Sequence, residues 1–384
     1  MDASVILQIK PELTRFLHQL DGYFGRVTTR RYLDLYIEGQ LGPLPRKSLE
    51  PMADAFGVPP RNLQEFLGLF RWDEQGVRDE LQQYVARRHD SPHSVGVFDE
   101  TSFVKKGDQT ACVQRQYCGA VGKKENCVVS VHLGYATPAF FSLIDGEVFL
   151  PEETWDQDRD RCRAAGIPED VVYRPKWQMA LEHYRRAVAN GMRFAWLIFD
   201  EGYGGKGPFL QELEQVGQNY VAEVPVSFPV WTRRPAVLYR ACARDRRHGR
   251  PRHYPRLKVK NNPKVPVQNV LTYSPRMRQI AWQNYHVKDG RKGPMVWQAK
   301  RLRVYRSDEQ GLPTRPFHLL VVRTPWTPRR SNTSSAMPRN RRRSRRCCGW
   351  PLPVGSSSGL SRTARRNWGW IILRSASISR SSGT

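Results

Sequence analysis

The stretch VGVFDE at residues 95–100 decides the fold, and AWLIFDE at residues 195–201 repeats its pattern. Each is a short apolar run that ends in an acidic pair. A buried strand that stops on a carboxylate places it at the edge of a sheet, where a cleft can form. Two such carboxylates can share a hard divalent cation. The alternative is that Asp99 and Asp200 each cap only the turn that leaves the strand.

Strands and helices alternate around these two runs. Hydrophobic periodicity predicts three strands, a helix, a strand, a helix and a strand, at residues 94–99, 127–136, 140–149, 176–190, 195–200, 206–216 and 219–224. That order is typical of an α/β (α+β) fold with an RNase H-like mixed sheet and flanking helices. Its first and fourth strands are neighbours, so we expect Asp99 and Asp200 to meet.

Residues 1–90 carry helical periodicity and are predicted to form an N-terminal helical DNA-binding domain. Within it, residues 47–70 predict a helix-turn-helix, with a glycine turn and a proline that starts the second helix. The second helix would present Arg61, Asn62 and Gln64 to base edges or phosphates. An ordinary helical hairpin is the alternative.

The remaining boundaries follow from composition. The first part of the catalytic core is predicted at 91–225, a β-rich basic insertion at 226–323 and a disordered tail at 324–384. Basic residues mixed with aromatic ones in the insertion suit phosphate contact and base stacking, or else the aromatics form the core of a small sheet. These aromatics are Trp231, Tyr254, Trp282, Tyr285 and Trp297.

The charge of the chain indicates a polyanionic partner. The 384 residues include 62 Lys and Arg against 36 Asp and Glu, a net charge of +26, which suits DNA or RNA. A signal peptide and an apolar run of about 18 residues are both absent from the sequence, so we expect a cytoplasmic, nucleoid-associated protein without a membrane partner. Seven cysteines without a CxxC pair indicate neither a disulfide framework nor a zinc site.

Three segments together resemble the catalytic half of bacterial insertion-sequence transposases of the DDE superfamily. They are VGVFDETSFVKKG from residue 95, RQYCGAVGKKENCVVSVHLGYA from residue 115 and FAWLIFDEGYG from residue 194. In the most similar group the first motif reads Asp-Glu-Thr-Gly-Phe-x-Lys-Lys-Gly, with Ser102 here in the Gly place. The resemblance covers roughly residues 40–323.

The resemblance implies a site and a cofactor. Asp99 and Asp200 would be catalytic metal ligands for Mg²⁺, with Mn²⁺ as the alternative, and two ions would serve in-line attack on a phosphodiester. Glu100 and Glu201 would lie next to these ligands without binding the cation themselves. The resemblance also implies DNA partners, namely the terminal inverted repeats of the element and its target DNA, bound by a homodimer.

Lys105 and Lys106 follow the first acidic pair and would contact DNA phosphates, although a solvated basic turn is the alternative.

The third acidic ligand of such enzymes should sit on a helix after the insertion, yet the chain has no Asp or Glu beyond Glu309. If the codons after Arg323 are read one base early, residues 367–376 can spell Glu-Leu-Gly-Leu-Asp-His-Phe-Glu-Val-Arg, which resembles the family's C-terminal motif. The same frame lets residues 354–365 spell an Arg-x3-Glu-x6-Lys pattern. We therefore infer that one base is missing near Arg323 or Thr324, through mutation, a sequencing error or programmed slippage, and we expect this chain to lack the third ligand.

The functional prediction is a transposase for Mg-dependent DNA cleavage and strand transfer that is inactive by itself. The alternative is a catalytically dead DNA-binding protein that occupies element ends and inhibits transposition.

Overall fold

The computed structural model describes residues 3–239, 254–290, 293–323 and 369–374. The chain divides into two compact units, one of residues 1–90 and 186–192 and one of residues 91–185 and 193–384. The helices are α1 (Ala3–His18), α2 (Val27–Leu41), α3 (Leu49–Phe56), α4 (Pro60–Gly68), α5 (Glu74–His89), α6 (Arg159–Ala164), α7 (Lys176–Ala189), α8 (Glu201–Gly204), α9 (Gly207–Gln215), α10 (Val267–Tyr273) and α11 (Pro275–Gln279), with short 3-10 and π turns at Asp21–Tyr23 and Glu152–Asp156.

The strands are β1 (Val95–Val104), β2 (Gln114–Cys118), β3 (Lys123–Ala136), β4 (Phe141–Val148), β5 (Trp196–Phe199), β6 (Tyr220–Glu223), β7 (Pro229–Val230), β8 (Val237–Leu238), β9 (Arg256–Leu257), β10 (Val265–Pro266), β11 (Gln283–Gly290), β12 (Gly293–Val304), β13 (Phe317–Arg323) and β14 (Gly369–Arg374). None of the helices that the structure describes has the length and apolar character needed to cross a membrane.

The first unit is helical and is organised by aromatic packing. Phe24 and Phe66 are buried, and the Trp72 ring stacks on both, with centroids 5.4 and 6.1 Å away. α3 ends at Gly57, whose φ of +63° is the left-handed conformation that glycine adopts at little cost. Pro60 opens α4, where its missing N–H is not needed. α3 and α4 are therefore two helices joined by a three-residue turn at residues 57–59.

The second unit is built on one ten-stranded sheet. Its order is β11-β12-β13-β14-β6-β5-β1-β3-β2, with β4 paired to β3 outside this path. β1, β5 and β6 are parallel, and β3 runs antiparallel to β1 and β4. The subset β4-β3-β1-β5-β6 has the RNase H-like order, so the predicted mixed α/β fold is confirmed.

Aromatic side chains fill the layer between the parallel strands and α9. Phe98, Phe199 and Phe209 are buried, and the ring centroid of Phe199 lies 6.4 Å from Phe98 and 5.0 Å from Phe209. Each strand is thus anchored by an aromatic residue immediately before its aspartate. This packing fixes where Asp99 and Asp200 leave the core.

Residues 226–323 contain strands, as predicted for this segment, but also the helices α10 and α11, which the sequence analysis did not predict. Val267 and Val270 are fully buried on α10. β11, β12 and β13 form an antiparallel meander that continues the central sheet through β14. Two of the aromatic residues considered for base stacking contact cations within the protein. Lys264 lies over Trp231, and Lys300 and Arg323 lie over Trp282.

The tail differs from its prediction at one place. Within 324–384, residues 369–374 form β14, which pairs antiparallel with β13 and β6. β-Branched and aromatic residues in this stretch favour an extended chain, although the overall composition suggested disorder. The rest of the predicted tail lies outside the described residues.

Candidate active site

Asp99 and Asp200 occupy adjacent positions on neighbouring strands. Phe98 and Phe199 form the last pair in the parallel register of β1 and β5, and the two aspartates are the next residues on their strands. One part of the prediction is wrong, since β1 does not stop at Asp99. It continues to Val104, because β3 still pairs with it there. Asp99 therefore lies where β5 leaves the sheet rather than at the tip of its own strand.

Asp200 combines a capping role with an unfavourable electrostatic environment. It is the N-cap of α8, and its Oδ1 accepts a hydrogen bond from the Gly202 N–H at 2.9 Å. Burial, and then the charges of Glu100 and Asp99, raise the pKa of the Asp200 carboxyl to about 6. The capping alternative is thus part of its role, but it does not account for the other acids nearby. We call Asp99, Glu100 and Asp200 the acidic centre.

Glu100 is held by a lysine from α7. Lys176 Nζ donates to Glu100 Oε2 at 2.6 Å and lies 5.1 Å from the centroid of the Phe149 ring. This ion pair compensates one of the negative charges in the acidic centre. Glu201, the other predicted acid, is the exposed first residue of α8.

A further acid, Glu223, was missed by the sequence analysis. Phe199 pairs with Ala222 in the parallel register of β5 and β6, so Glu223 follows on β6 as Asp200 follows on β5. Burial, and then the charges of Asp200 and Glu201, raise the pKa of Glu223. The sequence could have predicted Glu223, because YVAE at residues 220–223 is a third apolar strand that ends in an acidic residue.

The sequence analysis also missed two histidines near Asp99, His132 on β3 and His183 on α7. His132 is the cross-strand partner of Asp99, and its Nε2 lies 2.7 Å from Ser130 Oγ. Burial and the neighbouring His183 lower the pKa of His132. His183 Nδ1 lies 3.3 Å from Asp145 Oδ2, with both side chains almost fully buried. These polar groups set the environment on the β3 side of Asp99.

The donor set of Asp99 and Asp200 fits a divalent cation. Carboxylate oxygens are hard ligands, and a cation would relieve the repulsion that raises the pKa of Asp200. However, within residues 3–239, 254–290, 293–323 and 369–374, no group of three or more His, Cys, Asp or Glu side chains is arranged to hold a metal ion.

The predicted phosphate-contacting lysines lie on the surface. Lys105 and Lys106 are exposed and directly follow β1. The Lys105 N–H donates to the Asn126 carbonyl at 3.0 Å, and Asn126 Nδ2 donates to the carbonyls of Lys105 and Gly107. The backbone of this basic turn is therefore fixed while its ammonium groups face solvent.

The residues predicted to bind DNA on α4 divide into two kinds. Arg61 and Gln64 are exposed, and Arg61 Nε donates to Glu65 Oε1 at 2.6 Å. Asn62 instead donates from Nδ2 to Tyr32 Oη at 2.8 Å and is partly buried. Asn62 thus packs within the helical unit, whereas Arg61 and Gln64 remain available for an outside partner.

Comparison with known proteins agrees with these features. Residues 19–294 match the family model described as DDE superfamily endonuclease. Over 193 residues the chain is 28% identical to a protein of Microchaete diplosiphon named "Probable transposase for insertion sequence element IS701". That alignment covers 48% of this chain and 46% of the relative, so the chain matches about half the length of that protein. The family model matches well over half of the residues of this chain, so the chain belongs to the DDE superfamily endonucleases.

Proposed function

We propose that this chain is an insertion-sequence transposase by descent, which binds element ends and uses Asp99 and Asp200 for metal-dependent DNA cleavage and strand transfer. The proposal is supported above all by the position of the two aspartates, which directly follow Phe98 and Phe199, the last paired residues of β1 and β5. The family match and the name of the relative support the same activity.

The residues of the centre would have distinct tasks. Asp99 and Asp200 would hold Mg²⁺ or Mn²⁺, and the Gly202 N–H would keep Asp200 oriented. Lys176 would neutralise part of the negative charge that Glu100 brings to the acidic centre. When bound, the cation supplies Lewis-acid activation of the attacking oxygen and charge compensation at the phosphate.

We further propose that this chain is inactive by itself, because we interpret the residues after Arg323 as a frame change that removes the third acidic ligand. Two carboxylates hold one cation loosely, and loss of a ligand costs orders of magnitude in rate, since positioning and charge stabilisation carry most of the catalysis.

DNA is the proposed partner, as terminal inverted repeats and target DNA bound by a homodimer, in the bacterial cytoplasm at the nucleoid. A net charge of +26 supports attraction to the phosphate backbone. Arg61 and Gln64 on α4 and Lys105 and Lys106 after β1 are the proposed contacts.

The test is a cleavage assay with Mg²⁺ or Mn²⁺ on linear DNA that carries both ends of the element encoding this chain. We compare the chain, a version with one base restored at codons 323–324, and the restored version with Asp99→Asn and Asp200→Asn. We expect cuts only from the restored version with both aspartates. Equal turnover by the present chain would contradict its inactivity, and no cleavage by the restored version would contradict the transposase assignment.

A second candidate function is a DNA-binding protein without catalysis that occupies element ends and inhibits an intact transposase. It is supported by the finding that no triad of metal-ligating side chains occurs in the described part of the chain. Binding to element ends that survives Asp99→Ala with Asp200→Ala, together with inhibition of the restored enzyme, would select this function.

A further inference from the structure

Tyr203 is a buried tyrosine whose hydroxyl has no hydrogen-bond partner among the described residues. Its side chain is 2% exposed, and its Oη is fully enclosed. The ring packs in the aromatic layer, with centroids 6.1 Å from Phe98, 5.9 Å from Phe209 and 6.5 Å from Phe199. A phenylalanine would fill this space without an unsatisfied donor, so packing does not explain the hydroxyl.

Tyr203 lies close to the acidic centre both along the chain and in the aromatic layer. Tyr203 lies one helical turn after Asp200, and its N–H approaches the Asp200 carbonyl at 3.3 Å. The Phe98 ring that it contacts lies on β1 two residues before Glu100, so Phe98 and Glu100 share one face of that strand. After burial, the negative charges of Glu100, Asp200 and Asp99, in that order, are what raise the pKa of Tyr203. A tyrosine hydroxyl carries a proton that it can donate in a hydrogen bond to a carboxylate.

We infer that Tyr203 is a positioning residue of the acidic centre, whose buried hydroxyl donates a hydrogen bond to its carboxylates when a divalent cation draws them together. This inference rests on the proposed function, because it needs a cation at Asp99 and Asp200. A neutral donor stabilises ionised carboxylates without competing for the cation, unlike a lysine in the same place. The hydroxyl would thus support the negative charge that cation binding requires.

Tyr203→Phe tests the inference, because it removes the hydroxyl and keeps the ring. Tyr220→Phe is the matched control. Tyr220 is fully buried, and its ring centroid lies 5.7 Å from that of Phe199. Its hydroxyl already has a partner outside the acidic centre, because it donates to Glu214 Oε1 at 3.2 Å. The measurements on the full-length chain are Mn²⁺ affinity by titration calorimetry at pH 8 and thermal unfolding with EDTA.

We expect Tyr203→Phe to weaken Mn²⁺ binding about tenfold, the effect of one hydrogen bond to a charged group, with metal-free thermal stability equal to or above that of the parent. Tyr220→Phe should lower the melting temperature and leave Mn²⁺ affinity unchanged. Unchanged Mn²⁺ affinity in Tyr203→Phe would overturn the inference while leaving the proposed function in place. If the parent binds Mn²⁺ no better than Asp99→Asn with Asp200→Asn, the proposed function and the inference both fail.

Discussion

At the scale of the residue, Asp200 shows how folding places a carboxyl group among other negative charges. Its pKa is raised to about 6, first by burial and then by Glu100 and Asp99, although backbone N–H groups of Gly202 and Tyr203 oppose the rise. Functional sites commonly place like charges close together at a cost in folding stability, and a bound cofactor or substrate then relieves their repulsion.

Asp200→Asn should therefore stabilise the protein at pH 8. An unfolded Asp releases its proton near pH 4 and the folded one near pH 6, so between these values the native state binds more protons. Stability consequently falls as pH rises through that window and stays reduced above it, by on the order of 2 kcal/mol. Asparagine keeps an oxygen for the Gly202 N–H but carries no charge, so the variant escapes this loss.

Thermal unfolding with EDTA at pH 4 and pH 8 measures this effect. The control is Asp158→Asn, because Asp158 caps α6 through the Arg161 N–H at 3.0 Å on the exposed surface. A higher melting temperature for Asp200→Asn at pH 8 only is the expected result. An equal gain at both pH values, or a gain in Asp158→Asn as well, would argue against the electrostatic cause.

At the scale of the element, the short helix α8 is held against β6 at backbone distance. A Cβ built on Gly204 would lie 1.9 Å from the Glu223 carbonyl oxygen, closer than any real contact. Because α8 begins at the Asp200 cap, this close approach also helps to set where Asp200 lies.

Gly204→Ala should destabilise the protein by about 2–3 kcal/mol, since the helix must move away from β6 to admit the methyl group. Gly207→Ala is the control, because a Cβ there meets nothing within 4 Å at the start of α9. Denaturant unfolding measures both, and a loss in Gly207→Ala comparable to that in Gly204→Ala would show that the backbone contact is not the cause.

Arg61 on α4 is predicted to contact a DNA phosphate. Arg61→Ala should weaken DNA binding and reduce the slope of log affinity against log salt by about one, as for a single phosphate contact. Arg15→Ala on α1 is the control, because Arg15 is also an exposed arginine paired with a glutamate of its own helix. Fluorescence anisotropy over a salt series measures the slope, and equal effects of the two variants would exclude a specific role for α4.

At the scale of the whole molecule, the sequence predicted the parallel strands and their aspartates because buried strands appear as continuous apolar runs. It did not predict β2, because the sequence of this strand, QRQYC, is mostly polar and shows no apolar run. It also did not predict that β1 continues past Asp99, because that continuation depends on pairing with β3. The sequence also gave no sign that the Tyr203 hydroxyl has no partner among the residues described, because a tyrosine in an apolar segment does not reveal where its oxygen points.

We propose that Asp99 and Asp200, far apart in the chain, hold one cation together. Fe²⁺ with ascorbate and peroxide generates hydroxyl radicals at its binding site, so a bound iron cuts the nearby polypeptide. We expect two cuts, near residues 99 and 200, that are suppressed by excess Mg²⁺ and absent from Asp99→Asn with Asp200→Asn. Cutting at only one of these positions, or at sites unaffected by the double substitution, would contradict the claim.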